Sequence, residues 1–229
     1  LGLNCIEAYP GQKIRNEKPE ENFIQTMSPE LRSEVKQKLA QKGIKVVSYG
    51  VVDLPSDEAR CRLVFDFAKD MNIRTIVAEP NEHAFDMIDK LCQEYKINVA
   101  VHNHPKPSHY WDPNTVLKVC KGRSRRIGAC ADTGHWMRSG VDPLAAIKKL
   151  QGRIFEVHLK DLNAFGVGDA HDVPWGTGVA NLRAILRELD RQNFAGAFLI
   201  EYEYNMKNSM PEIKECTSFF KENARVPRN

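Results

Sequence analysis

Four apolar runs in this chain end in side chains that bind divalent cations or move protons. Residues 126–132 (RIGACAD) finish on Asp132, with His135 three positions on. Residues 97–102 (INVAVH) finish on His102, with His104 two beyond. Residues 153–159 (RIFEVHL) carry His158, and residues 197–203 (AFLIEYE) carry Glu201 and Glu203. Carboxylate oxygens and imidazole nitrogens are hard and borderline ligands. The set His102, Asp132, His158 and Glu201 suits Mn²⁺, Mg²⁺, Co²⁺ or Zn²⁺ with one or two positions open to water or substrate. Any one of these residues alone reads more simply as a hydrogen-bonded structural group. Their recurrence at the same end of four consecutive strands is what selects a site, because strand C-termini share one mouth in a parallel barrel.

The elements that must position them alternate along the chain. Strand-like runs fall at residues 2–8, 44–52, 73–79, 97–102, 126–132, 153–159 and 197–203, and helix patterns at 28–42, 56–71, 82–96, 113–121, 142–151, 178–192 and 211–223. Ser28, Ser56, Asp112 and Asp142 stand where N-caps belong, three of them directly before proline. Gly43 and Gly152 follow helix ends. Continuous apolar strands, each followed by a helix, predict a parallel sheet covered by helices. Seven such units predict a (β/α)8 barrel, residues 1–229 forming one domain, with the first βα unit upstream of Leu1 or degenerate. A doubly wound open sheet is the alternative, but no GxGxxG follows any strand.

Composition narrows the function further. The 229 residues carry 33 basic and 30 acidic side chains, a net charge of +3 spread along the chain, which is no polyelectrolyte footprint for nucleic acid. The basic run 121–126 reads as a solvated turn. Six cysteines lie scattered without a CxxC, several in apolar runs, and read as reduced core residues. No run reaches membrane-spanning length and no leader pattern is present. The expected compartment is the cytoplasm, with the periplasm left open by the abrupt start on a strand.

CADTGHW, HLKD followed by a long loop ending in WGTGV, and the closing IEYE together resemble the xylose-isomerase-like barrel superfamily of sugar and sugar-phosphate isomerases and epimerases, over nearly the whole chain. The resemblance implies a metal held by His102 or His104, Asp132, His158 and Glu201, with His135 turned toward substrate. It implies proton abstraction beside a carbonyl through a metal-stabilised enediolate, on a small sugar or keto-sugar. Glu201 is the expected base. Glu79 is either a second acid or base or a structural carboxylate, and Lys160 either polarises a hydroxyl or pairs with Asp161. The sequence departs from the ketose epimerases of that superfamily where VAVHNH replaces a strand ending in glutamate. A keto-sugar or keto-cyclitol lyase begins with the same proton removal and is the alternative. Apurinic endonucleases share the motif order, Asp169-Ala-His171 included, but earlier strands here lack their histidines.

Two loops read as functional. Residues 105–111 place His109, Tyr110 and Trp111 beyond a ligand-bearing strand, as a lid, a sugar-stacking wall, a plug of the barrel mouth or a contact with a second subunit. Residues 161–178 form a long glycine-rich loop with Phe165, Asp169, His171 and Trp175. The expected substrate contacts are His104, His135, Trp111, His171 and Trp175.

Overall fold

Each of the seven expected strands is present in the computed structural model, which describes Leu1–Ala224. Two compact units divide the chain, one of residues 2–102 and 119–128, the other of residues 103–118 and 129 onward with Leu1.

In the first unit, β1 (Cys5–Ala8) leads through a short hairpin, β2 (Gln12–Lys13) and β3 (Asn22–Phe23), to α1 (Pro29–Gln41). Ser28 caps α1 as expected, its Oγ accepting the Leu31 N–H at 3.3 Å. Then follow β4 (Lys45–Tyr49), α2 (Glu58–Asp70), β5 (Thr75–Ala78), α3 (Phe85–Tyr95) and β6 (Asn98–His102), with β1–β4, β4–β5 and β5–β6 paired in parallel. All four residues of β5 are buried, the signature of a strand covered on both faces. α2 buries Cys61, Val64, Phe65, Phe67 and Ala68, a stripe at helical spacing. Phe67 meets Phe23 and Tyr49 at centroid distances of 5.3 and 5.1 Å. Truncating so well packed a ring costs about 3–5 kcal/mol. The cap of α2 is Asp57, not Ser56: Asp57 Oδ1 accepts the Arg60 N–H, while Ser56 Oγ lies 2.7 Å from His83 Nε2. Within the basic run, Arg123 pairs with Asp86 at 2.7 Å.

In the second unit, α4 (Pro113–Cys120) precedes β7 (Ile127–Asp132), which enters the unit at Ala129. α5 (Thr133–Arg138) and α6 (Pro143–Lys149) lead to β8 (Ile154–His158). A hairpin, β9 (Asp161–Leu162) with β10 (Asp172–Val173), occupies the expected loop, followed by α7 (Leu182–Arg191), β11 (Ala197–Leu199) and α8 (Met210–Asn223). β7–β8 and β8–β11 are parallel. β11 stops at Leu199, so Glu201 and Glu203 stand on the segment after the strand rather than within it. α5 and the hairpins have no counterpart among the expected elements. All six cysteines are free and five are buried, as expected. Among the described residues no helix is long and apolar enough to cross a membrane.

Candidate active site

In the first unit, His102 ends β6 at 1% exposure, its Nδ1 3.2 Å from Glu79 Oε1 just past β5. A carboxylate on one ring nitrogen fixes the orientation of the ring and raises the basicity of the other nitrogen, the usual support for a ligating histidine.

The second unit gathers Asp132, His135, His158, Lys160, Glu201 and Glu203. Asp132 is fully buried where β7 turns into α5, and its Oδ1 caps that helix by accepting the His135 N–H at 2.7 Å. Its other oxygen, Oδ2, lies 3.2 Å from Lys160 Nζ, 3.5 Å from His135 Nε2 and 3.9 Å from His158 Nδ1. His158 Nδ1 is also 3.2 Å from Glu201 Oε2. Lys160 Nζ stands 2.9 Å from Glu201 Oε2 and 2.7 Å from Glu203 Oε2. The ammonium donates a hydrogen bond to Glu203 and stands as a charge partner to Asp132 and Glu201. Lys160 therefore does not pair with Asp161, as one reading of the sequence has it. Successive side chains leave opposite faces of an extended segment, and Asp161 instead accepts the N–H groups of Gly176, Gly178 and Ala180.

Two residues absent from the sequence reading hold this cluster. Asn103 accepts the Asp132 N–H at 2.8 Å and donates to the Asp132 carbonyl at 2.9 Å. Thr133 Oγ1 donates to the Lys160 carbonyl at 2.7 Å and accepts the Lys160 N–H at 2.8 Å. Gly134 has a steric reason: a Cβ there would stand 2.8 Å from Lys160 Cβ.

The ionisation states follow from the contacts. Burial alone would pull the Lys160 ammonium below its ordinary pKa, but Asp132, Glu201 and Glu203 together outweigh it and the group is held charged. Burial likewise opposes the charge on Glu201, yet the His158 hydrogen bond and the Lys160 charge hold its carboxyl well below the usual range. Glu203 shifts the same way through Lys160. Arg138 Nη1 lies 3.0 Å from His135 Nδ1. A guanidinium only donates, so Nδ1 accepts and the ring proton sits on Nε2.

Asp132 Oδ2, His158 Nδ1 and Glu201 Oε2 also suit a divalent cation. Ligands about 2.0–2.2 Å from one ion stand about 3–3.5 Å apart. The spacings of 3.9 and 3.2 Å are near that, and the donors are the oxygen and imidazole mixture such ions accept.

The remaining expected contacts divide. The His104 ring lies 5.4 Å from that of His135, and His171 stacks on Tyr204 at 4.3 Å. Trp111 carries Lys106 Nζ 4.0 Å above its ring. Trp175 is buried against Phe220 of α8, a packing position, and Tyr110 is buried, so the lid and sugar-wall readings of residues 105–111 do not extend to it.

A family model described as xylose isomerase-like TIM barrel matches residues 1–223. An inosose dehydratase of Clostridium beijerinckii is 33% identical over 112 residues, covering 38% of this chain and 37% of that protein. The chain thus matches well under two thirds of that relative's length. A crystal structure of an uncharacterised protein from Parabacteroides distasonis ATCC 8503 superposes with a TM-score of 0.76 at 33% identity, over 96% of this chain and 88% of that one. A D-tagatose 3-epimerase-like protein superposes with a TM-score of 0.75 at 19% identity, over 97% and 89%. The fold is the α/β TIM barrel that the strand and helix alternation predicts.

Proposed function

Because the chain belongs to the xylose isomerase-like TIM barrel family, we propose that it is an enzyme acting on a polyhydroxy ketone, a keto-sugar or keto-cyclitol, by removing the proton from the carbon beside the carbonyl. The observation that carries this reading is the state of Glu201, a half-exposed carboxylate kept ionised by His158 and a buried ammonium. An ionised carboxylate with one side open to solvent is placed to accept a carbon-bound proton. Asp132, His158 and Glu201 would hold a divalent ion, Mn²⁺, Mg²⁺, Co²⁺ or Zn²⁺, to which the order of strand ends in the sequence adds His102. Such an ion supplies Lewis-acid polarisation of the substrate carbonyl. Lys160 holds Asp132, Glu201 and Glu203 around its charge. His135 presents an Nε2–H that can donate a hydrogen bond to a substrate oxygen.

After proton removal, loss of a hydroxyl from the next carbon gives dehydration, and return of the proton gives isomerisation or epimerisation. Dehydration is favoured by the relative named as an inosose dehydratase. It also fits β6, which ends in histidine where a second glutamate base would serve an epimerase. The proton taken up by Glu201 then passes to the departing hydroxyl, which leaves as water. Isomerisation or epimerisation is the second reading and shares every residue up to that step.

Incubating keto-cyclitols and keto-sugars with the enzyme in D₂O, with each candidate divalent ion, tests the reading by mass spectrometry. Loss of water is the expected result. Deuterium gained with no loss of water moves the assignment to isomerase or epimerase, and neither change with any ketone or ion contradicts the proposal.

A further inference from the structure

Beside the carboxylate cluster, and sharing Glu203 with it, the second unit holds a cavity of about 330 Å³ that the motif reading did not assign. That volume is at the small end of ligand pockets, room for one monosaccharide-sized ring. One wall is aromatic: Tyr204, 46% exposed, stacks on His171 with planes 27° apart. The rest combines Pro105, Gly168 and Ala170 with the charged side chains of Arg138, Asp169, Asp172 and Glu203.

The charges there have a definite balance. Three carboxylates face one guanidinium, a net of two negative charges from the formally charged groups of the lining. The guanidinium is partly engaged: Nε donates to the Ala170 carbonyl at 2.9 Å and Nη1 reaches His135 and Glu203, while Nη2 stands 3.9 Å from Asp172 Oδ2, beyond hydrogen-bond distance. Asp172 is 2% exposed; its Oδ2 accepts the Glu203 N–H at 3.0 Å, and its Oδ1 has no hydrogen-bond partner among the described residues. A buried carboxylate oxygen without a donor is costly until something donates to it.

Resting on the polyhydroxy-ketone reading, we propose that this cavity is the subsite for the hydroxyl-bearing part of the substrate away from the reacting carbonyl, and that it selects an uncharged polyol over a phosphate ester. Hydroxyls donate to Asp169 and Glu203, as a phosphate dianion cannot. The C–H face of the ring lies on Tyr204, the usual pairing of an apolar sugar face with an aromatic wall. A phosphate in the same place meets more carboxylates than cations, because Lys160, the second cation near Glu203, is shared with Asp132 and Glu201.

Calorimetric titration with two unreactive probes, myo-inositol and its monophosphate, tests the subsite apart from any chemistry. The wild-type protein is expected to bind myo-inositol at least tenfold more tightly than the monophosphate. Tyr204→Ala is expected to weaken myo-inositol binding about tenfold and Tyr204→Phe to retain it. Asp169→Lys, at an exposed position, is expected to narrow the preference over the monophosphate. An unchanged melting temperature in each variant excludes unfolding as the cause. Tighter binding of the monophosphate by the wild type, binding indifferent to Tyr204→Ala, or no binding of either probe overturns the subsite. Deuterium exchange into a ketone that persists beside such a result leaves the proton-transfer reading standing, so the two failures are distinguishable.

Discussion

Asp132 and Asp161 lie in the same unit, are equally buried, and each take backbone N–H groups, yet they do different work. Asp161 gives both oxygens to the main chain, Oδ2 to Gly176 and Gly178 and Oδ1 to Ala180, pinning the return of the long loop. Gly178 is needed for that pinning, since a Cβ there would collide with Asp161 Oδ1. Asp132 gives one oxygen to the main chain as a helix cap and turns the other to Lys160, His135 and His158. A carboxylate saturated by backbone donors is architecture. One with an oxygen turned to titratable groups is available for chemistry.

The comparison is broken most directly by making the same change at both positions. Asp132→Asn keeps the capping oxygen and loses the charge, so deuterium exchange is expected to fall on the order of a hundredfold or more, with helix content by circular dichroism unchanged. Asp161→Asn is expected to leave exchange per folded molecule within about twofold and to lower stability by about 1–3 kcal/mol in urea unfolding, the cost of weakening buried hydrogen bonds. If Asp161→Asn proves the more damaging to exchange, the division between the two aspartates fails.

Lys160→Met comes next in size. It leaves Asp132 and Glu201 without their ammonium partner, and a loss of about 3 kcal/mol is expected from breaking a buried charge network. Unaltered urea midpoints in this variant would mean that the ammonium does not hold the carboxylates. Asn103→Ala is the smallest. It removes two main-chain contacts of Asp132, for an expected loss of about 1–2 kcal/mol and a measurable fall in exchange, since Asp132 is then less firmly aimed.

The sequence reading located the strands and the chemistry at their ends because both are local signals. Apolar runs mark the strands, and Asp132, His158 and Glu201 follow or end them in one polarity. It missed α5, whose Thr133 and Gly134 are poor helix formers. That helix exists because Asp132 caps it and Gly134 lets it lie against Lys160, a contact between segments distant in sequence. The partners of Lys160 were illegible for the same reason: the nearest acid in the chain is Asp161, but the acids in space are Asp132, Glu201 and Glu203. Asn103 reads as an ordinary residue at the end of a strand, and only pairing with the main chain of Asp132 reveals its task. Tyr110 and Trp175 show the converse, aromatic residues in loops that the fold uses as core.

The central claim is that Glu201 takes a proton from the carbon beside a ketone, and hydrogen–deuterium exchange at that carbon measures it directly. Followed by proton NMR in D₂O with a turned-over keto-cyclitol or keto-sugar, the wild-type enzyme is expected to exchange that position. Glu201→Gln is expected to be slower by about 10²–10⁴, the usual contribution of a general base. Exchange at the wild-type rate in folded Glu201→Gln would contradict the account.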